Sequence, residues 1–502
     1  MDKSKISWLI QKHSDPRLQL SWNFAQVGVV FLAFLPILGL VSMGLALIVT
    51  YIRQYKLINY RWINRGFALL SLLLIVVSLF ANDKLSAFLG LANLIPLFLF
   101  FAAYSQLIQT PAQLRQIGNL LLLGALPILF FGYGQMLFGM TSPAFLEVIL
   151  GTIVKPGGNP PGRMASIFMY ANILAIYLQV IFILSLGFWL EELQKYLPLQ
   201  RIFSNIKTNS NSPKSRLICL SFLVLATGGA LVMTSSRNSW SIAFLAMLAF
   251  AVYQGWKYLV WGVVGFMGAI LWSAFGVDPS KQWLRGIIPR FIWARLSDEM
   301  NPNRPTADLR ETQWQFAMQL AGDRPIVGWG LRNFTQLYQA KTQFWLGHPH
   351  NLFLMLSAET GIITTLLFAG LVGWVMYKTI QILQVWSQVF SIVPSDVNSI
   401  INPNINPDIN SSINLDINQQ NLPSKQINQS INHQLITQQD DRLIIFTYFI
   451  AFSSCVLFNL LDVSLFDIRV NLLGWLLLSS IGGLVNHYQG ILLWQKLDHP
   501  FK

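Results

Sequence analysis

The sequence predicts an all-α polytopic membrane protein of about twelve transmembrane helices, with one long helical loop on the outer face. Three observations carry this. Hydrophobic residues make up 54% of the 502 residues and charged residues only 11%, where a soluble domain has about 25% charged. Mean hydropathy is +0.50. Apolar runs approaching the ~20 residues that cross a bilayer recur along the whole chain. A single soluble globule and a disordered chain are both excluded, because the charges are too few to cover a water-facing surface. The net charge of +13 would suggest nucleic acid in a soluble protein. Here the basic residues sit between apolar runs, so they mark membrane topology first and an anionic, lipid-linked partner second; no nucleic-acid partner is expected. Cys219 and Cys455 both lie inside apolar runs, without metal-like spacing or a disulfide framework. The polar start MDKSKISWLIQKHSDPR lacks the pattern of a cleavable signal peptide.

The runs fall near 24–50, 67–82, 85–105, 117–139, 166–190, 217–235, 240–255, 258–275, 350–377, 443–462 and 470–487. Lys and Arg in short loops set their direction. Lys3, Lys5, Lys12 and Arg17 place the N-terminus inside, and Arg53, Lys56, Arg61 and Arg65 place the next loop inside too. The run 24–50 between them is therefore expected to be a tight hairpin of two short helices, broken near Pro36 or Gly39; the alternative is one long tilted helix. With the hairpin the remaining loops alternate. Asn82–Lys84, residues 140–165, Ser235–Ser239, residues 276–349 and Asp467–Arg469 lie outside; Arg115, residues 191–216, Lys257, Lys378 to Arg442 and the C-terminus lie inside.

This divides the chain into an N-terminal transmembrane bundle (1–275), an outer loop with amphipathic helices (276–349), a re-entry helix (350–394), an insertion (395–440) and C-terminal transmembrane helices (441–502). In the outer loop, Leu309, Trp314, Phe316, Ala317 and Leu320 have helical spacing, with Asp308 as N-cap and Gly322 and Pro325 as the stop. GWGLRNFTQLYQ follows as a glycine turn into a second short helix. The insertion is an Asn/Ile/Gln low-complexity tract, expected to be disordered and cytoplasmic.

Soluble-enzyme signatures are absent: no phosphate-binding Gly-rich loop with a Lys, no GxSxG, no HExxH and no D-x-D clamp. His348-Pro-His350 is a pair of histidines without a carboxylate or Cys cluster, so no metal site is expected. The topology, however, gathers Arg163, Arg237, Arg310, Arg324, Arg332 and His350 at the outer face, near the lipid headgroups. Guanidinium forks match phosphate oxygens and stay charged, and histidine is the side chain best poised to take a proton near neutrality. That set suits a lipid-diphosphate leaving group and a hydroxyl nucleophile. A single interfacial Arg is more often a snorkelling anchor, and the surface role is preferred for Arg324 and Arg332. His350 could equally cap the start of a span. Glu359, nine residues into the run that starts at 350, is an ionisable group at a depth that favours a partner or a function, with a structural bond to a neighbouring helix as the equal alternative.

Four segments resemble the O-antigen ligase/polymerase superfamily of bacterial envelope proteins. His350-Asn351, nine residues, Gly361, two residues and Thr364 are similar to the ligase signature. LRETQWQFAMQLAGDRPIVGWGLRNF resembles the family's Arg, amphipathic helix and Pro-x-x-Gly-x-Gly segment. TSSRNSW resembles its Ser-Arg turn, and PGRMASIFMYANILAIYL its Arg-x-x-x-x-Phe-x-x-x-Asn span. The resemblance covers roughly 85–370. It implies a GT-C-type glycosyltransferase of the bacterial inner membrane, without metal, cofactor or nucleotide-sugar. Its termini would be cytoplasmic and its helical loop periplasmic. Such enzymes move a glycan from undecaprenyl diphosphate to an acceptor hydroxyl on lipid A-core or another glycan or protein, in contact with membrane lipid. By position, His350 is expected to be the general base, Arg237 and Arg310 to hold the diphosphate with Arg163 as a third contact, and Asn351, Glu359 and Arg332 to support them. A polysaccharide polymerase is the alternative within the class. A solute or bicarbonate transporter is the alternative outside it, disfavoured because the spans are mostly free of charge and no internal repeat is evident. A non-catalytic scaffold for envelope assembly would not need the Arg/His set.

Overall fold

The computed structural model describes residues 12–142, 154–196, 214–297, 299, 305–392 and 424–498. Among these the regular structure is helical, with no strand. Among the described residues ten helices are long and apolar enough to cross a membrane, so the chain is a multi-pass membrane protein. The expected twelve is not reached, because two further apolar helices are short, at 13 and 17 residues.

The first short helix, α1 (Gln19–Phe31), forms a hairpin with α2 (Pro36–Tyr60). Pro36 stands at the first position of α2, where its missing N–H costs nothing. Gly39 lets the backbones touch: a Cβ there would lie 2.6 Å from the Leu32 Cα. Both arms return to the same end of the bundle. His13 Nε2 bonds the Leu107 carbonyl at 3.0 Å, and the Arg53 guanidinium donates to the Arg17 carbonyl. The hairpin, rather than one long helix, is what the chain forms.

Next come α3 (Trp62–Leu79), α4 (Lys84–Leu91), α5 (Ile95–Leu107) and α6 (Pro111–Leu137). Asp83 caps α4. Thr110 and Gln113 close a reciprocal capping box on α6, with bonds of 3.3 and 3.0 Å, which satisfies two backbone donors that a helix start leaves open. The core is built on α7 (Ala171–Gln194) and the last helix, whose membrane windows are 83% and 89% buried. Both are apolar on all sides, as central helices must be. α8 (Lys214–Met233) packs on α7, α9 (Arg237–Tyr253) follows, and α10 (Lys257–Phe275) lies at the periphery, its membrane window only 17% buried.

The outer loop folds as short helices: α11 (Ser280–Ile287), α12 (Arg290–Leu296), α13 (Arg310–Asp323) and α14 (Phe334–Thr342). α13 and α14 are the two expected amphipathic helices. The N-cap of α13 is Leu309, not Asp308, because Asp308 is held in a preceding 3-10 turn, Thr306–Asp308.

The expected span 350–377 is two helices, α15 (Leu352–Thr360) and α16 (Ile362–Ile392), and the membrane-length stretch starts only at Ile362. Gly361 breaks them with φ +83°, and a Cβ there would sit 2.2 Å from the Ile326 carbonyl oxygen. The Pro-x-x-Gly-x-Gly turn therefore presses directly on this glycine, and the Ile362 N–H donates to the Pro325 carbonyl at 2.7 Å. As a result α15, with Glu359, leaves the membrane run. Its Ala358 joins α13 and α14 in a small core of Phe316, Ala317, Leu320, Phe334, Tyr338, Leu346 and Ala358, while its Met355 and Leu356 pack into the main core.

α17 (Ser424–Asn459) and α18 (Ile468–Asp498) complete the fold. Residues 395–423 of the Asn-rich tract lie outside the described residues. From Ser424 the chain enters α17. The tract's prolines, Pro403, Pro407 and Pro423, all precede that point, so no helix breaker separates 424–440 from the apolar run behind it.

Contacts sort the loops into two ends. At one end Arg115 bridges Glu191 at 2.6 Å and Asp441 at 2.7 Å. At the other, the Asn82 N–H meets the Trp329 carbonyl, Arg163 meets Thr234, and residues 460–462 meet Asn238, Asn351 and His350. The second group joins loops that the charge alternation places together outside.

Candidate active site

At that second end, a turn between α17 and α18 gathers side chains from four parts of the chain. Asp462 is 4% exposed. Its Oδ1 receives His350 Nδ1 at 2.9 Å and the Val463 N–H at 2.9 Å. Its Oδ2 accepts from Asn172 Nδ2 at 2.9 Å, and the Asn172 oxygen accepts from Arg163 at 2.5 Å. Arg163 Nε also donates to the Thr234 carbonyl at 2.8 Å, which fixes the turn before Arg237. A continuous line thus runs from Arg163 through Asn172 and Asp462 to His350. Burial raises the Asp462 carboxyl, but the His350 bond, both histidines and the Val463 N–H outweigh it, and the group stays below its ordinary value.

The backbone under His350 is held from both sides. Trp314 Nε1 donates to the Pro349 carbonyl at 2.9 Å. Asn351 caps α15 through the Leu354 N–H and donates to the Leu460 carbonyl, both at 3.0 Å. Between these anchors His350 adopts φ +51°, a left-handed conformation uncommon for a residue with a Cβ. Such strain persists only where the surroundings over-determine it, and it clusters at functional sites. His348 lies beside it, with ring centroids 4.6 Å apart. Burial pushes His348 down to about 4, despite Asp462, so its imidazole is neutral.

The other expected residues divide. Arg237 is half-buried at the first position of α9, next to Asn238, whose side chain donates to the Leu461 carbonyl at 3.2 Å. Arg310 opens α13, and its charge reaches His348. Glu359 lies instead beside the small core, and Arg332 bonds it only through its backbone. Glu359 is 2% exposed, and its carboxylate accepts the Phe334 and Arg332 backbone N–H groups. The Arg332 side chain is exposed alongside Gly90. Arg324 stacks on Trp329 at 4.0 Å.

Burial pushes the Glu359 carboxyl from 4.5 up to about 7. The folded chain therefore keeps this proton to higher pH than the unfolded chain does. The group's contribution to stability falls as pH rises from 4.5 to about 7, by at most ~3 kcal/mol, and is level above that. In thermal unfolding of the detergent-solubilised protein, Glu359→Gln is expected to flatten this part of the Tm-against-pH curve. An unchanged slope in the variant would assign the pH dependence elsewhere.

The sequence assigned no site role to Asp462, Asn172 or Trp314, and counted Trp314 only on the apolar face of a helix. Asn172 is the Asn of the Arg-x-x-x-x-Phe-x-x-x-Asn pattern, so a signal existed for it. Asp462 ends an apolar run in NLLDVSLFD, where no motif marks it. It also supplies the carboxylate whose absence spoke against a metal at the His pair: donor atoms of His348, His350 and Asp462 lie within 4.8 Å of one another.

An apolar cavity of about 180 Å³ adjoins this corner, lined by Leu352, Phe353, Phe368, Phe452 and Trp475, with Asn459 and Ser464 among its polar groups. Leu352 follows Asn351 directly and Ser464 lies two residues from Asp462, so the cavity starts beside the polar site.

Residues 222–369 match the family model described as O-antigen ligase. No curated protein matches the chain. The match covers less than a third of the chain, and over that stretch the chain is similar to O-antigen ligases. The matched stretch contains Arg237, Arg310 and His350. Arg163, Asn172 and Asp462 lie outside it.

Proposed function

We propose that this O-antigen ligase-like membrane protein transfers a glycan from undecaprenyl diphosphate to an acceptor hydroxyl at the periplasmic face of the inner membrane, with its termini cytoplasmic. The observation that carries the reading is the His350–Asp462 pair, set in the same corner as three arginines and an apolar cavity. His350 Nδ1–H donates to Asp462, which leaves Nε2 with its lone pair for the acceptor O–H. The acceptor oxygen attacks the anomeric carbon as its proton passes to Nε2. The bond from that carbon to the diphosphate oxygen breaks, and the electron pair leaves with the lipid diphosphate. A single displacement of this kind inverts the anomeric centre.

Arg237 and Arg310 take the diphosphate and the charge that develops on it, the type of electrostatic stabilisation that grows toward the transition state. Arg163 is already engaged with Asn172 and Thr234. Beyond any phosphate contact, it holds the line that ends on His350. The cavity takes the first stretch of the polyprenyl chain, since a mostly apolar pocket with a few polar groups at one end suits an amphiphilic lipid.

The test is transfer from a purified lipid-linked glycan to candidate acceptors, wild type beside Arg237→Ala and Arg310→Ala. Loss of glycan from the lipid diphosphate is expected in wild type, with a drop of about 10²–10³-fold in each variant if it removes one donor to the developing charge. The acceptor that gains the sugar separates ligase from polymerase. No turnover by folded wild-type protein with several donors and acceptors would sink the transferase reading and favour a transporter or scaffold.

A further inference from the structure

We propose that His348, His350 and Asp462 form a binding site for a Zn²⁺-class divalent metal ion, and that the ion switches off the His350–Asp462 pair. The inhibitory half rests on the role proposed above for His350; the binding half does not. Asp462 Oδ1 lies 2.9 Å from His350 Nδ1 and 3.8 Å from His348 Nε2. A tetrahedral zinc ion with ligands at about 2.0–2.1 Å sets them about 3.3 Å apart, so the two Asp462 edges bracket the required length, and the third edge, between the histidine nitrogens, lies within 4.8 Å and closes by rotation of the half-buried rings. Two imidazoles and one carboxylate form a donor set that zinc and its neighbours in the first transition row prefer over magnesium or calcium.

The outer shell is in place as well. Asn172 holds Asp462 Oδ2 at 2.9 Å, the kind of second hydrogen bond that orients a metal-ligating carboxylate. The ring of His348 stacks on Phe466 at 6.1 Å. Binding has two costs. The His350 backbone N–H reaches His348 Nδ1 at 3.2 Å, a long bond that the metal-bound tautomer gives up, and the Arg310 charge opposes a cation here. The shared Asp462 carboxylate offsets both.

Inhibition follows from which nitrogen the ion takes. Bound at His350 Nδ1, it displaces the proton now directed at Asp462, and that imidazole then carries its proton on Nε2. The atom assigned to receive the acceptor proton is thereby occupied, and Asp462 no longer orients the ring.

The experiment uses metal-stripped full-length protein in nanodiscs, in a Cys219→Ser background because Cys219 is an exposed thiol. Co²⁺ is titrated by visible absorption and Zn²⁺ by calorimetry. Wild type is compared with His348→Phe, which keeps a ring against Phe466 and removes both nitrogens. The expected result is about one equivalent of metal with a tetrahedral Co²⁺ spectrum, both lost in His348→Phe. Saturating Zn²⁺ is expected to reduce wild-type transfer more than tenfold and to leave the variant active. No stoichiometric binding to wild type, or equal binding to the variant, overturns the site. Binding without inhibition, in protein that transfers glycan when metal-free, overturns the switch. Normal binding by protein that shows no transfer at all leaves the site standing and sinks the transferase reading instead.

Discussion

His350→Ala is expected to abolish glycan transfer while protein level and helix content stay at wild type. Removing a positioned general base costs about 10²–10⁴-fold, and no neighbouring group replaces it in this geometry. His348 presents its Nδ1 to the His350 backbone N–H, and burial acts on it to favour the neutral ring. Because His350 has φ +51°, alanine adds backbone strain, so His350→Asn is the matched control: asparagine tolerates the left-handed region. Both variants should lose turnover alike in the lipid-linked transfer assay. Near-wild-type rates in folded His350→Asn would remove histidine from the mechanism.

Asp462→Asn is the second large effect. The substitution keeps the size of the side chain, and its carbonyl can still accept the Val463 N–H seen at 2.9 Å. Its amide, though, faces Asn172 Nδ2 or His350 Nδ1 with a donor where each now finds an acceptor. The imidazole loses the partner that fixes its tautomer, a change that costs about 10⁴-fold in a serine-protease triad. Asp462 does not itself touch substrate in this scheme; it is a positioning residue. The expected signature is a kcat lower by about 10²–10⁴-fold with KM for the lipid donor little changed. A rise in KM at constant kcat would mean that Asp462 shapes the binding site instead.

Much of the architecture was legible because the bilayer imposes simple rules. Length and apolarity mark the helices, and proline and glycine mark breaks such as the one before Pro36. What misled the linear reading was a glycine inside an apolar run. Residues 350–377 look like one span by composition. Gly361 is a break only because the carbonyl of Ile326, from the Pro-x-x-Gly-x-Gly turn, needs the space a Cβ would fill. The same break leaves Glu359 before the membrane-length stretch, where it takes the structural bond that the sequence left as open as a functional role and accepts backbone N–H groups. Ten membrane-length helices rather than twelve reflect short helices, whose apolar residues count toward a span while their length does not.

By itself the sequence determined the class, a multi-pass helical membrane protein, the break at Pro36 that makes the first hairpin, and which polar loops share an end. It also offered candidates for binding phosphate and taking a proton, the Arg and His residues of the outer loops. Tertiary structure decided which of them meet. His350 and Asp462 are 112 residues apart, and Asn172 and Asp462 are 290 apart. No local periodicity relates such positions, and packing of α7, α15 and α17 brings them to one turn. Hydrogen-bond geometry and burial then separate the roles: Asp462 against His350, and Glu359 and Arg332 away from it.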